Sequence, residues 1–544
     1  MTPAPAHRPA AMIAALCCTL TAAAANPDDA FVRRGERAWA DVAALADDAM
    51  EGRRAGTPGH RRAAEYVARA FADAGLKPGG DGGWFQSVNL ISRTIREEQS
   101  SASLIGAGQT VSLTPGKEFT FSLRGNFARE VEAPLVFVGH GLRLPQFGVD
   151  DLAGLDLNGK VVVAFSAAPK AVPSAAGAHF DSSIERWKTY RDAGAVGMVM
   201  IPNPFSMDVP WERATKRRLE PVMALGPPEE DLYAGQKVVL TFNPEHLATL
   251  FQGAPESVDT VLAALEDGAT MPHFDLPWKL RAVIEADVSN AESHNVIGIL
   301  RGSDRRLRPQ RVVLTAHLDH LGVGGDGEDR IFNGAMDNAS GVAVLIDIAR
   351  RMRESKARPR RTLVFAAVTA EESGLLGSRA FVSRAQREQW DLVANVNMDM
   401  FLPLFPLRQL TVFGLDESDL AADVRAVADA AGVTVQPDPQ PARNRFIRSD
   451  QYSFVRAGIP ALALKTGFDA DTPEAALEKE WTSKRYHSPA DDLSQPVDLG
   501  SMGRFANLLE LLSLRVANRP DTPAWNATST FNRPRASVGK QAAK

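Results

Sequence analysis

The stretch from Arg311 to Met400 constrains the fold more than any other part of this 544-residue chain. It holds three apolar runs of strand length, each leading into acidic or imidazole side chains. Arg311-Val-Val-Leu-Thr-Ala leads to His317-Leu-Asp-His320, and Thr362-Leu-Val-Phe-Ala-Ala-Val-Thr-Ala leads to Glu371-Glu-Ser-Gly374. Val393-Ala-Asn-Val-Asn-Met leads to Asp399. Continuous apolar runs of this length suit strands covered on both faces. Between the first two stands Asp337-Asn-Ala-Ser-Gly341, followed by a helix-periodic segment from Val342 to Arg353 with a basic end. Strand, helix, strand is the parallel crossover, and such sheets bind ligands beyond the carboxyl ends of their strands. The charged residues stand at those ends, which predicts an active site.

The residues gathered there are His317, Asp319, Asp337, the Glu371-Glu372 pair, Asp399 and a later His487. Carboxylates converging on one pocket repel one another unless cations are present. Both cysteines, Cys17 and Cys18, lie at the amino terminus, so thiolates are not available. Mixed imidazole and carboxylate ligands suit zinc or a similar divalent metal. A catalytic zinc takes about three protein ligands. The set here suffices for two ions if one carboxylate bridges them, at a separation of roughly 3.5–4 Å.

Five pieces, Thr315-Ala-His-Leu-Asp-His-Leu-Gly322, Gly334-Ala-Met-Asp-Asn-Ala-Ser-Gly341, Ala370-Glu-Glu-Ser-Gly374, Asn397-Met-Asp399 and Tyr486-His-Ser-Pro489, occur in that order. Together they resemble the co-catalytic di-zinc peptidases, a family that includes secreted bacterial aminopeptidases and glutamate carboxypeptidase. The resemblance covers roughly residues 35–95 and 290–515. It implies an α/β fold, a mostly parallel-centred mixed sheet flanked by helices, with a smaller strand-rich protease-associated domain inserted. It implies two zinc ions, one on His317 and Asp399, the other on Glu372 and His487, with Asp337 bridging. By the same resemblance Asp319 orients the His317 imidazole, Glu371 is the general base, and Tyr486 donates to the oxyanion. Arg448 and Asp450 fall in the family's substrate-side segment, whereas His320 is expected to be a loop residue beside the site and no ligand.

The amino terminus carries His7-Arg8 and an apolar run from Ala10 to Ala25 that ends in small residues, which predicts a secretory signal peptide over 1–25 and an exported, periplasmic or extracellular protein. Lipoprotein processing would favour a small residue before Cys17, where Leu16 stands. No other run is long and apolar enough for a membrane span. The rest divides into an amino-terminal part of the peptidase domain (26–130), the inserted domain (131–280), the catalytic domain (281–517) and an aperiodic tail (518–544) expected to be mobile. Glu51-Gly-Arg and Gly56-Thr-Pro-Gly59 match the family's opening segment and show no chemistry of their own. Charge is nearly balanced, 61 basic against 66 acidic residues, and no basic run marks a nucleic-acid surface.

The leading function is a zinc-dependent aminopeptidase that hydrolyses amino-terminal residues with metal-activated water. One alternative is a carboxypeptidase of the glutamate-releasing type, which needs a cationic pocket; Arg448 fits that, and Asp450 opposes it. Another is a glutaminyl-cyclase-like acyltransferase, which uses one zinc. A third is a catalytically inactive receptor on the same fold. The implied substrate is a peptide, and the oligomeric state is not legible.

Overall fold

The computed structural model describes Met1 and residues 27–532, apart from 107, 208–209, 228–231, 326, 441–442 and 444. The expected signal peptide, but for Met1, and tail residues 533–544 lie outside the described residues.

A ten-stranded mixed sheet carries the acidic stretch. Its principal strands are β1 (Phe85–Ile95), β2 (Ala286–Leu300), β3 (Gln310–His317), β4 (Thr362–Val368), β5 (Asp391–Asn397), β6 (Gln409–Phe413) and β7 (Ala461–Thr466). They lie side by side as β1-β2-β4-β3-β5-β7-β6. The centre is parallel, with Thr315 of β3 opposite both Ala366 of β4 and Asn397 of β5. The outer pairings, β2 with β4 and β7 with β6, are antiparallel.

Helices α1 (Pro27–Leu45), α2 (Pro58–Asp73), α3 (Ser340–Glu354) and α6 (Leu499–Asn518) cover one face, while α4 (Leu376–Arg387) and α5 (Gln451–Arg456) cover the other. Side chains alternate across a strand. Val312, Leu314 and Ala316 therefore enter the first core, and Val313 enters the second with Val364, Phe381 and Phe454. Two covered faces explain why these strands read as unbroken apolar runs. Thr57 caps α2 by accepting from the His60 amide, with Pro58 in the first turn, so the Gly-Thr-Pro-Gly segment starts a helix.

Arg34 of α1 is buried between α3 and α6. Its Nε donates to Asp347 at 2.7 Å, and its Nη2 lies 2.8 Å from Glu510 Oε2. Arg34→Ala would leave the buried Asp347 without this partner and Glu510 with only Arg351, 3.9 Å away, so it should destabilise the protein by about 3–5 kcal/mol, read as a lowered urea midpoint. An unchanged midpoint would contradict this packing.

A second sheet of eight strands takes its members from Ser101–Gly106 through Phe274–Val283. The expected boundary at 130/131 therefore moves back: Ser101–Gly106, Gln109–Leu113 and Phe119–Phe121 belong to this sheet and not to the peptidase part. Residue alternation identifies a strand without saying which sheet it joins. In the other direction, Val222–Leu225 leaves the inserted region and pairs with β1, Val222 opposite Arg93. The β1–β2 ribbon, paired from Phe85–Val296 to Ile95–Ala286, connects the two sheets. Side chains also join them: His179 Nδ1 lies 2.7 Å from the Tyr452 hydroxyl, and Arg456 pairs with Glu185 at 3.1 Å.

The tail expectation needs correction over its described part. Arg519 pairs with Asp419 and Asp423, Trp525 donates to Gly458 O at 2.9 Å, and Phe531 is buried. Isolated aromatics anchor this segment without any period for a sequence reading to find. Among the described residues no helix is long and apolar enough to cross a membrane.

Candidate active site

His317 ends β3, Glu371 and Glu372 follow β4 in a turn, and Asp399 follows β5, so the parallel centre of the sheet brings them together. Asp337 comes from the turn before α3, and His487 from the segment between Lys484 and α6. His317 Nε2 lies 3.2 Å from Asp337 Oδ1 and 3.4 Å from Asp399 Oδ1. On the other side, His487 Nε2 lies 3.3 Å from Asp337 Oδ2 and 3.2 Å from Glu372 Oε2. The two oxygens of Asp337 thus face two different imidazoles. Tetrahedral ligands on zinc stand about 3.3 Å from one another, given bonds of about 2.0–2.1 Å. Both sets have that spacing, so the donor sets fit two cations with Asp337 between them.

Electrostatics points the same way. Burial would lower the His317 imidazole, yet Glu371 and Asp399 hold it well above its ordinary value. Burial likewise opposes a charged His487, and Glu372 and Asp337 nevertheless raise it to about 10. Asp337 goes well below the usual carboxylate range: burial would raise it, and bonds from His317 and His487 outweigh that. The carboxylates around both imidazoles favour positive charge on them.

Three groups hold the backbone of these ligand segments. The Asp319 carboxylate accepts from the amides of Glu371 (3.1 Å) and Glu372 (3.4 Å). It lies 3.9 Å from His317 Nδ1, beyond hydrogen-bond reach, and that nitrogen instead approaches the backbone carbonyl of Asp319 at 3.1 Å. The expected orientation of His317 by the Asp319 side chain is therefore supplied by its main chain. Asp491 accepts from the amides of Met336 (2.9 Å) and Asp337 (3.0 Å). Arg53 donates to backbone carbonyls on β3 and before Asp337. Sequence reasoning missed both. Asp491 had one available signal, its place four residues after His487.

His320 also departs from expectation. It is buried in the cluster rather than placed beside it, with Nδ1 2.9 Å from Glu372 Oε1 and 3.8 Å from Asp337 Oδ2. His320, Asp337 and Glu372 form one compact donor group, and His317, Asp337 and Asp399 form another. His487 approaches Glu372 through the other oxygen, so His320 suits a hydrogen bond that orients Glu372.

Glu371 reaches the same pocket but makes no short contact to the imidazoles. Burial raises its carboxyl well above the usual range, against the pull of His317, and Glu372 and Asp399 add to the rise. Tyr486 stacks on His487 with ring centroids 3.8 Å apart, and burial together with Asp337 and Glu372 keeps its phenol protonated. Ala370, Met400 and His487 have left-handed backbone, a strain common at functional sites.

Glu371, Glu372, Tyr486 and His487 open into a cleft of about 550 Å³ whose far wall comes from the second sheet and its loops, including Arg124 and Tyr233. Arg448 is exposed and lines this cleft. Asp450 does not: it is fully buried and absent from the cleft wall, because it opens α5 facing the protein interior. The sequence placement of Asp450 among substrate contacts is corrected accordingly.

Residues 295–512 match peptidase family M28. Over 113 residues the chain is 35% identical to aminopeptidase NAALADL1 of Mus musculus, covering 20% of this chain and 14% of that protein. Over 133 residues it is 35% identical to a glutamate carboxypeptidase 2 homolog of Caenorhabditis briggsae, covering 24% and 16%. The chain thus spans 14% and 16% of the lengths of these two curated relatives. Among solved structures, an aminopeptidase from Aneurinibacillus sp. strain AM-1 has the same fold, with a TM-score of 0.52 at 20% identity, covering 91% of this chain and 97% of that one. The stretch that matches this family, residues 295–512, contains His317, Asp337, Glu371, Glu372, Asp399 and His487.

Proposed function

We propose that this protein is an exported, zinc-dependent aminopeptidase. The observation that carries the reading is Asp337, whose two oxygens face separate imidazole–carboxylate sets, with Glu371 beside them and in neither set. His317, Asp337 and Asp399 would hold one zinc, and Asp337, Glu372 and His487 the other. Bound there, zinc supplies Lewis acidity to a carbonyl and lowers the pKa of water.

The remaining chemistry belongs to side chains. Glu371 accepts the proton of the attacking water and passes it to the leaving amine, a task that suits a carboxyl raised above its ordinary range. Tyr486, held protonated, donates to the oxygen that gains charge at the tetrahedral stage. Glu371 and Asp399 receive the substrate's α-ammonium, which a dry pocket lined with carboxylates favours. The inserted region closes the cleft opposite these groups and so limits the size of peptide that enters.

A second reading has its own support. Arg124 and Arg448 both line the cleft, neither forms an ion pair among the described residues, and the acid thought to oppose them, Asp450, is buried away from it. Two free guanidiniums could bind a carboxyl terminus, as a carboxypeptidase requires. One peptide in three forms separates the readings. Losing a charge-assisted hydrogen bond costs about 1.5–3 kcal/mol, or roughly ten- to a hundredfold in kcat/KM. N-acetylation should lower cleavage by at least that much, and C-amidation far less. Cleavage of the acetylated peptide with loss of the amidated one establishes the carboxypeptidase instead.

A further inference from the structure

Arg53 lies outside residues 295–512, is fully buried, and has no part in the steps above. Its guanidinium donates from Nε to Leu318 O at 2.9 Å, from Nη1 to Leu45 O at 2.6 Å and Asn333 O at 2.5 Å, and from Nη2 to Gly334 O at 2.8 Å. Leu318 stands between His317 and Asp319. Asn333 and Gly334 open the turn that delivers Asp337. One planar group therefore spans the two backbone segments that present His317 and Asp337.

The chain takes an uncommon path to place it. Glu51, Gly52 and Arg53 are all left-handed, with φ of 51°, 60° and 50°. For the two non-glycine residues that conformation costs roughly 1–2 kcal/mol each. Gly52 presses against the ligand-bearing part as well: a Cβ there would come within 2.4 Å of Gly322 O and 2.5 Å of Phe332 O. Such a turn, with its arginine directed inward, sets the distance between neighbouring segments. The carboxylates around the guanidinium are Asp491, Asp319, Asp337 and Glu372, all within the site or its supports.

We infer that Arg53 is a positioning residue for the cation site, its fork holding the end of β3 and the Asp337 turn at the spacing where His317 and Asp337 share an ion. It touches neither substrate nor reacting atoms. Its positive charge also offsets the surrounding carboxylates before any cation binds, so the site keeps its shape when empty of metal. Lysine cannot replace it, because one ammonium does not reach carbonyls on separate segments in a planar fork. In the sequence this arginine stands only in a packing connector; its function comes from the four carbonyls it reaches.

The inference rests on the two-cation reading, and the test separates the two. Full-length wild type, Arg53→Lys and Arg53→Gln are stripped with chelator and titrated with zinc against a chromophoric competitor, and the melting temperature of each metal-free protein is recorded. Groups that orient ligands typically change metal affinity about 10–100-fold. The expected result is wild type with two zinc sites, and at least a tenfold weaker zinc affinity in the folded fraction of both variants. If the variants melt earlier but bind zinc as wild type does, Arg53 is only a folding residue and the inference is overturned. Failure of both variants to fold at saturating zinc overturns it equally. Wild type that binds no zinc would instead remove the two-cation reading itself.

Discussion

Glu371→Gln is expected to lose about a hundred- to ten-thousandfold in turnover while keeping the metal content of wild type. The substitution is nearly isosteric and leaves the Glu371 amide free to donate to Asp319, so the turn that also presents Glu372 keeps its place. What disappears is the proton acceptor. Glu371 is suited to that role because burial and neighbouring carboxylates raise it, whereas Glu372, its immediate neighbour, is drawn down to about 2: burial opposes this, and His487 and His320 prevail. Adjacent carboxyls with opposite shifts divide the tasks of base and ligand. Glu372→Ala should therefore lose zinc as well as activity. The decisive measurement is zinc per chain beside kcat for both variants. Should Glu371→Gln empty the site while Glu372→Ala retains its metal, the two roles are reversed.

How far the sequence could foresee this arrangement depends on what kind of contact each residue makes. The strands β3, β4 and β5 were legible because both of their faces meet hydrophobic cores, which leaves unbroken apolar runs. His317, Asp337, Glu372, Asp399 and His487 could be grouped from the sequence because acidic and imidazole residues follow successive apolar runs, and the structure brings these side chains together. Arg53 and Asp491 bond to backbone atoms, and a backbone partner leaves no trace in residue identity. The same reason hid the true bond between His317 and the carbonyl of Asp319. Asp450 was misplaced because Arg448, two residues earlier, faces the cleft, and the bend between them leaves one side chain exposed and the other buried. The sheet membership of residues 101–121 depends on pairing with strands more than a hundred residues away, such as Phe274–Val283, which no local pattern encodes.

Asp337→Ala should have the largest effect of all, loss of both zinc ions together with activity. Each of the two donor sets contains three residues only by counting Asp337 twice, once through each oxygen. Without it His317 and Asp399 remain on one side and His487 and Glu372 on the other, two ligands each, below the three that catalytic zinc usually has. The turn itself should survive, since Asp491 holds it through the amides of Met336 and Asp337 rather than through the lost carboxylate. Bound metal supplies several kcal/mol of transition-state stabilisation, so kcat/KM should fall at least about a thousandfold. Chelation of wild type should reproduce that loss, and added zinc should reverse it. Added zinc should not rescue Asp337→Ala at concentrations that restore wild type. A variant that retains one firmly bound zinc would mean that Asp337 serves a single cation, and a metal-stripped wild type with full activity would remove metal chemistry from this site altogether.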